Sequence, residues 1–266
     1  MRRNLFSFAA LLLLAAVPAT AGLRYQATTK TEGGAASTMT VEGWVSGEKA
    51  KVLFRESTQP MTEAGTYLLT PDGGKTMYLV NPEEKTYAEW DLQAMLGMAG
   101  ALTGGGMGPM FKMDFSEPKV EKLLDEDGGT VAGLPTRHTR FRTSYTVTVK
   151  VMGMGNTSDV VTEQDLWTTD QLQDVGLGVW LRAAPRSGNE QLDKVIAAEM
   201  GKVAGFPLKS VTVSTTKGKK GKETVSRTTM EVTELDRTDV ADSTFALPAG
   251  YQEIQLLPAG LMGRKE

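Results

Sequence analysis

The sequence contains no cysteine and a single histidine, His138. Without cysteine it forms no disulfide, has no thiol nucleophile and offers no thiolate to a metal. One imidazole is too few for the usual zinc or copper site. A Ser-His-Asp triad would have to use His138, and no Gly-x-Ser-x-Gly turn is present to supply its serine. We therefore predict a protein that is not an enzyme, with no metal and no cofactor.

An excess of positive charge is also missing. The chain of 266 residues carries 29 Lys and Arg against 32 Asp and Glu, a net charge of −3 at pH 7. Nucleic-acid binding needs a basic surface, so nucleic acid is excluded as a partner.

Long apolar runs are absent except at the N-terminus. Arg2 and Arg3 precede an apolar run from Leu5 to Val17, and Ala19–Ala21 has the small-x-small pattern of a signal-peptidase site. The run is shorter than the ~20 residues that cross a bilayer. We predict a signal peptide over 1–21, cleaved after Ala21, and a periplasmic or secreted protein with no transmembrane segment after cleavage. No lipobox cysteine is present, and the paired arginines leave both general secretory and twin-arginine export open.

After residue 22 the pattern is mainly that of strands and turns. From Thr143 to Val151, apolar and polar residues alternate with a period of two, which places one set on a buried face. Short turns such as Pro71–Gly74 and Asn81–Glu84 indicate antiparallel hairpins. Further predicted strands are Leu23–Thr31, Val41–Ser46, Ala50–Glu56, Thr66–Thr70, Met77–Asn81, Thr86–Trp90, Asp159–Thr168, Leu208–Thr216 and Glu223–Leu235.

Two helices are predicted. Asp91 can cap a helix that runs to about Leu102, and a second helix begins near Asn189 with one apolar face. A long antiparallel sheet with two helices against one face is an α+β fold that is mostly β. No domain boundary is visible, so we predict one domain over 22–266.

The segment from Leu92 to Met113 is rich in methionine and glycine. Methionine adapts to varied apolar partners, and glycine lets a segment open and close. One interpretation is a flexible apolar lid over a hydrophobic groove; the other is a core helix and a loop whose methionines fill gaps. The candidate ligand-binding residues are Met95, Met98, Leu102, Met107, Met110, Phe111 and Met113.

Three charged motifs have simpler interpretations. His138, Arg140 and Arg142 share one strand face, which we interpret as a solvated face paired with acidic neighbours rather than an anion site. Lys217–Lys222 is predicted to be a basic hairpin tip, and Leu124–Gly129 a solvated turn without the ligand spacing of a calcium loop.

Several stretches together resemble the DUF4412 family of exported bacterial proteins. They are Thr66–Tyr87, Gly129–Pro135, Asp165–Thr169, Ala204–Leu208 and Asp242–Tyr251. The resemblance implies an architecture like that of the periplasmic lipoprotein carriers: a curved antiparallel sheet forming an unclosed half barrel, with a few helices capping its concave face. Many relatives carry a cysteine after Ala132-Gly133, where this chain has Thr136 or His138, so no role of that cysteine transfers.

The function we predict is non-catalytic binding of an apolar ligand, such as a lipid or an acyl chain. The export signal, the half-barrel resemblance and the methionine-rich segment support it. The alternative is a structural or protein-interaction module of the bacterial cell envelope, whose sheet face or edge contacts an envelope protein. The sequence does not identify the ligand, the partner or the oligomeric state.

Overall fold

The computed structural model describes residues 22–34, 36–59, 62–91, 94–97, 100, 111–152, 154–172, 186–218 and 221–256. Its strands are β1 (Gly22–Glu32), β2 (Ser37–Ser46), β3 (Lys49–Ser57), β4 (Tyr67–Thr70), β5 (Tyr78–Asn81), β6 (Thr86–Glu89), β7 (Phe111–Phe115), β8 (Lys119–Val131), β9 (Leu134–Val151), β10 (Met154–Thr169), β11 (Phe206–Gly218), β12 (Glu223–Thr238) and β13 (Gln252–Glu253). Helix α1 spans Glu190–Met200, and a short 3-10 helix spans Asp242–Phe245.

Across these residues thirteen strands form one sheet, in the order β13-β6-β5-β4-β3-β2-β1-β12-β11-β10-β9-β7, with β8 also paired to β9. All pairs are antiparallel except β13 with β6. The end strands do not pair with each other, so the sheet is not closed. The predicted fold class, a mostly β open antiparallel sheet with few helices, is confirmed.

Two strands were missed by the sequence analysis. Leu124–Gly129 is not a solvated turn, because β8 continues through it with two register shifts against β9. Its carboxylates contact the partner strand: Asp125 accepts from Arg137, and Glu126 lies 3.4 Å from His138 Nδ1. Gly128 passes so close to Thr136 that a Cβ there would lie 2.5 Å from its hydroxyl.

The second missed strand, β7, covers Phe111–Phe115. It pairs with Val147–Val151 at the far end of β9. Phe111 and Met113 are therefore strand residues rather than part of a flexible loop. Their alternation with charged Lys112 and Asp114 is the period-two signal of a strand, and the glycines before them masked it.

The predicted helix starts are confirmed. The backbone N–H of Ala94 donates to Asp91 Oδ1 at 2.7 Å, and residues 94–97 and 100 are helical. The Asn189 side chain caps α1 by accepting from the N–H groups of Gln191 and Leu192. The predicted end of the first helix, Leu102, lies outside the described residues.

Apolar residues are buried on both faces of the sheet, in different places. One cluster gathers Leu23, Val45 and Ala50 with Phe206 and Leu208 at one end of the long strands. The other cluster lies on the opposite face of β2–β6, where Phe245 and its neighbours in the C-terminal segment, Val240–Tyr251, cover Tyr67, Leu69 and Val80. The C-terminal segment thus covers this face of β2–β6.

Candidate functional site

The inner face of the sheet is the face that carries Leu23, Tyr25 and Ala27 of β1. Pairing registers extend it across the neighbouring strands, since residues opposite each other point to the same side. On β1–β3, β7 and β9–β12 it carries no Asp, Glu, Lys or His. Its two arginines, Arg137 opposite Thr168 and Arg237 opposite Leu23, both lie at the Leu23 end of the long strands. Its uncharged residues include Leu23, Tyr25, Ala27, Thr29, Thr31, Ser37, Met39, Val41, Gly43, Val45, Ala50, Val52, Phe54, Phe111, Met113, Phe115, Thr139, Phe141, Thr143, Tyr145, Val147, Val149, Ser158, Val160, Thr162, Gln164, Leu166, Leu208, Ser210, Thr212, Ser214, Thr216, Ser226, Thr228, Met230 and Val232.

The inner face is only partly covered. Its residues are buried at the Leu23 end of the sheet, but many of those in the middle of β9–β12 and β1 are half-buried. A filled core would bury them fully. This stretch is therefore a concave candidate site with an apolar region on one side, where β7 pairs with β9.

Hydroxyl side chains run in rows across this face. Thr143, Thr162, Ser214 and Ser226 lie opposite one another on four strands, and Gln164, Thr212, Thr228 and Thr31 form the adjacent row. The Thr31 and Thr228 hydroxyls are 3.1 Å apart and share a hydrogen bond. This part of the face is thus uncharged yet able to form many hydrogen bonds.

Helix α1 covers the β7–β9 side of the inner face. The Phe115 N–H donates to Gln191 Oε1 at 2.8 Å, which fixes the start of α1 against β7. Burial, together with nearby Glu199, raises the pKa of Tyr145 on β9. The Glu199 carboxylate is itself paired at 2.7 Å with buried Lys202, which follows the end of α1, so its charge near Tyr145 is balanced.

A further cation lies at the rim of the face. Lys122 of edge strand β8 places its ammonium 5.7 Å from the Phe141 ring and 2.9 Å from Asp125 Oδ2. Its charge is already paired, so the rim offers no unpaired cation to a ligand at this point.

Of the predicted ligand-binding residues, Phe111 and Met113 lie on the inner face in β7, and Met95 is a half-buried helical residue. Met98, Leu102, Met107 and Met110 lie outside the described residues. The structure therefore brings Phe111 and Met113 together beside Val147 and Val149, which alternation in β9 had assigned to a buried face.

The outer face holds the charged residues. Arg140 donates to Asp165 at 2.8 Å and Arg142 to Glu163 at 2.6 and 3.0 Å, which confirms the predicted pairing of this row with acidic neighbours. His138 is not the surface histidine that was expected: only 9% of it is exposed. Its ring stacks on Trp167 at 4.2 Å, and Nε2 lies 2.6 Å from Asp165. These contacts suit a packing role.

A recess of about 480 Å³ opens beside this cluster. It is lined by Glu126, Asp127, Pro135, Thr136, Arg137, Thr169, Asp170 and Gln171. Within the described ranges no group of three or more His, Asp or Glu side chains is arranged to hold a metal ion. Those ranges also contain no helix long and apolar enough to cross a membrane.

The fold and the inner face together define a class: an open antiparallel sheet with a charged outer face and a concave inner face that is uncharged away from its Leu23 end. The resemblance to DUF4412 is confirmed over residues 153–251, which the model of that family, a domain of unknown function, matches. This stretch contains β10–β12, α1 and the C-terminal segment. No curated protein matches the sequence.

Two solved structures are similar. One is a LolA superfamily protein from Nitrosomonas europaea, 10% identical, with 85% of this chain and 90% of that chain covered and a TM-score of 0.31. The other is a DUF1329 family protein from Desulfovibrio piger, 12% identical, with 86% and 91% covered and a TM-score of 0.32. At such TM-scores neither similarity informs the function of this chain.

The sequence analysis missed the hydroxyl rows. A signal was present: in β10–β12 every second residue is uncharged, while the residues between them include most of the charges. Period-two reasoning separates these two sets, but only the pairing registers show that they line up across strands as rows.

Proposed function

We propose that this is an exported, non-catalytic protein that binds an apolar or amphiphilic ligand, such as a lipid or an acyl chain, on the inner face of its sheet. One observation carries the proposal: a half-buried concave surface across eight strands whose middle has no charged residue, its arginines, Arg137 and Arg237, lying only at the Leu23 end. Such a surface disfavours charged ligands, because a charge buried there would have no partner. It favours apolar ones, because each ligand methylene buried there contributes about 0.8 kcal/mol.

The acyl chain of the ligand is proposed to lie beside β7 and the end of β9. Phe111, Met113, Val147 and Val149 form a continuous apolar patch there. Methionine suits such a surface, because its flexible thioether adapts to chains of different shape. Met95 and, by the same reasoning from sequence, Met98, Leu102, Met107 and Met110 are proposed to complete the apolar lining.

Adjacent residues of β11 provide a matched test. Ser214 lies on the inner face and Thr215 on the outer face, and both are half-buried. Ser214→Asp places a carboxylate where the ligand is proposed to lie, whereas Thr215→Asp places it among outer-face residues. We expect Ser214→Asp to weaken binding of 1-monooleoylglycerol at least tenfold by fluorescence displacement, and Thr215→Asp to change it less than twofold. Equal effects of the two substitutions would contradict the proposal.

A second candidate is an interaction module of the cell envelope, and one observation favours it. Met152 and Met154 at the β9–β10 turn are 67% and 75% exposed. Exposing large apolar side chains to water is unfavourable, and a partner protein that covered them would remove this cost. A photo-crosslinker at position 154 should then capture one specific envelope protein, while the same group at Asn156 should not. Identical adduct patterns at both positions would remove this candidate.

A further inference from the structure

Two polar atoms on the inner face have no hydrogen-bond partner. They are the hydroxyl oxygen of Thr143 and the side-chain carbonyl oxygen of Gln164, and both are buried. Thr143 as a whole is 0% exposed. Buried polar groups in native proteins nearly always have partners, so each such atom requires an explanation. The only other such side-chain atom in the described ranges, Thr86 Oγ1, lies in β6 near the opposite edge of the sheet.

These two atoms lie beside each other. Gln164 is opposite Phe141 and Thr143 is opposite Thr162, so the two side chains are diagonal neighbours on adjacent strands and on the same face. Both belong to the hydroxyl rows that continue through Ser214 and Thr212. The unpaired atoms therefore mark one end of a polar strip, next to the apolar patch formed by β7 and β9.

The chemistry of the atoms selects the group that would pair with them. The Gln164 oxygen only accepts, so it needs a donor, whereas the Thr143 hydroxyl can donate or accept. A ligand hydroxyl satisfies both, and it also suits the amide in its flipped orientation. A carboxylate or phosphate offers acceptors only. The nearby cations that could neutralise an anion, Lys122, Arg137 and Lys202, are already paired with Asp125 or Glu199.

We propose that Thr143 and Gln164 bind an uncharged, hydroxyl-bearing head group of an amphiphile, such as that of a glyceride, with its acyl chain against the β7–β9 patch. This inference rests on the proposed function and specifies its ligand class. It also explains the hydroxyl rows, since a head group with several hydroxyls can bond to successive side chains of the strip.

Three probes with the same acyl chain test the head-group preference: 1-monooleoylglycerol, methyl oleate and oleic acid. We expect the wild-type protein to bind 1-monooleoylglycerol at least tenfold more tightly than the other two in titrations followed by fluorescence displacement. If methyl oleate binds as tightly as the glyceride, the inference is wrong and the proposed function stands. Tightest binding of oleic acid overturns it in favour of an anionic head group. Failure of all three probes to bind refutes both proposals.

Near-isosteric variants assign the preference to the two residues. Thr143→Val and Gln164→Met remove the polar atoms, and we expect each to reduce glyceride affinity at least fivefold while methyl oleate affinity stays within twofold. Thr215→Val on the outer face is the control and should change neither. Thr143→Ser keeps the hydroxyl and should retain glyceride binding.

Stability separates ligand binding from a structural role. Removing an unpaired buried atom takes away no protein hydrogen bond, so the ligand-free melting temperature of Thr143→Val should equal or exceed that of the wild type. A clear fall in that temperature, or a variant that does not fold, would mean that the hydroxyl supports the fold and would overturn the assignment of Thr143.

Discussion

Glu42 is the carboxylate whose removal should affect the sheet most. It is 2% exposed in the middle of β2, between Arg24 of β1 and Arg55 of β3. The Arg24 and Arg55 Nε groups donate to its two oxygens at 2.7 Å each, and Arg55 Nη2 makes a further contact. One side chain thus ties three neighbouring strands together on the outer face.

The substitution Glu42→Gln keeps the shape and removes the charge. Hydrogen bonds to charged groups are worth about 1.5–3 kcal/mol each. The guanidinium side chains of Arg24 and Arg55 are 43% and 54% exposed, so water can solvate them once the carboxylate is gone. We therefore expect a net loss of about 2 kcal/mol in the free energy of unfolding. In a domain of this size that loss lowers the melting temperature by about 4–8 °C.

The loss of unfolding free energy in Glu42→Gln should become smaller as the pH falls. Burial raises the pKa of Glu42, but the hydrogen bonds from Arg55 and Arg24 outweigh it, and the pKa lies below the ordinary value of 4.5. A lowered pKa means that the stabilisation is fully present above pH 4.5 and is lost as the pH falls through the folded-state pKa. Glutamine does not titrate, so the difference between wild type and variant should narrow below about pH 4.5.

Thermal melts from pH 7 to pH 2 measure this difference. Glu32→Gln is the control, because its carboxylate also pairs with a cation, Lys30 at 2.6 Å, but its side chain is 55% exposed. We expect the control to melt with the wild type at pH 7. A Glu42→Gln variant that also melts with the wild type at pH 7, or that differs from it equally at every pH, would refute the reasoning.

Three further predictions follow from the strands and the N-terminus. Gly43→Ala should lower stability by about 1–3 kcal/mol in urea unfolding, because its Cβ would lie 2.2 Å from the Tyr25 ring, whereas Gly155→Ala, with its nearest neighbour at 3.6 Å, should not. His138→Ala should lower the melting temperature without changing affinity for 1-monooleoylglycerol, since its ring packs on the outer face; loss of binding in a folded variant would contradict this. Mass analysis of the exported protein should find Gly22 as its first residue, and retention of the preceding residues would refute the predicted cleavage.

Much of the fold followed from local sequence. Period-two alternation placed Thr143, Tyr145, Val147 and Val149 on one face of β9, and short turns joined neighbouring strands. Asp91 and Asn189 marked helix starts, because an N-cap side chain bonds to backbone groups two or three residues away. The pairing of Arg140 and Arg142 with acidic neighbours was also predictable, since an exposed strand face needs solvation or counter-charges.

Other features depended on contacts between distant parts of the chain. β7 and β8 exist as strands because β9 is long enough to pair with both. The alternation in β7 is only five residues long, and the acidic run in β8 gave no strand signal. His138 became buried only because Trp167 and the β8 backbone pack on it.

The same division applies to the candidate site. Alternation alone determined which residues of each strand share a face, because successive side chains in a strand point to opposite faces. Only the tertiary structure decided that Thr143 and Gln164 are neighbours and that both are buried without a partner. A pairing register is set by the whole sheet, so the local sequence of β9 or β10 could not specify which of their side chains would meet.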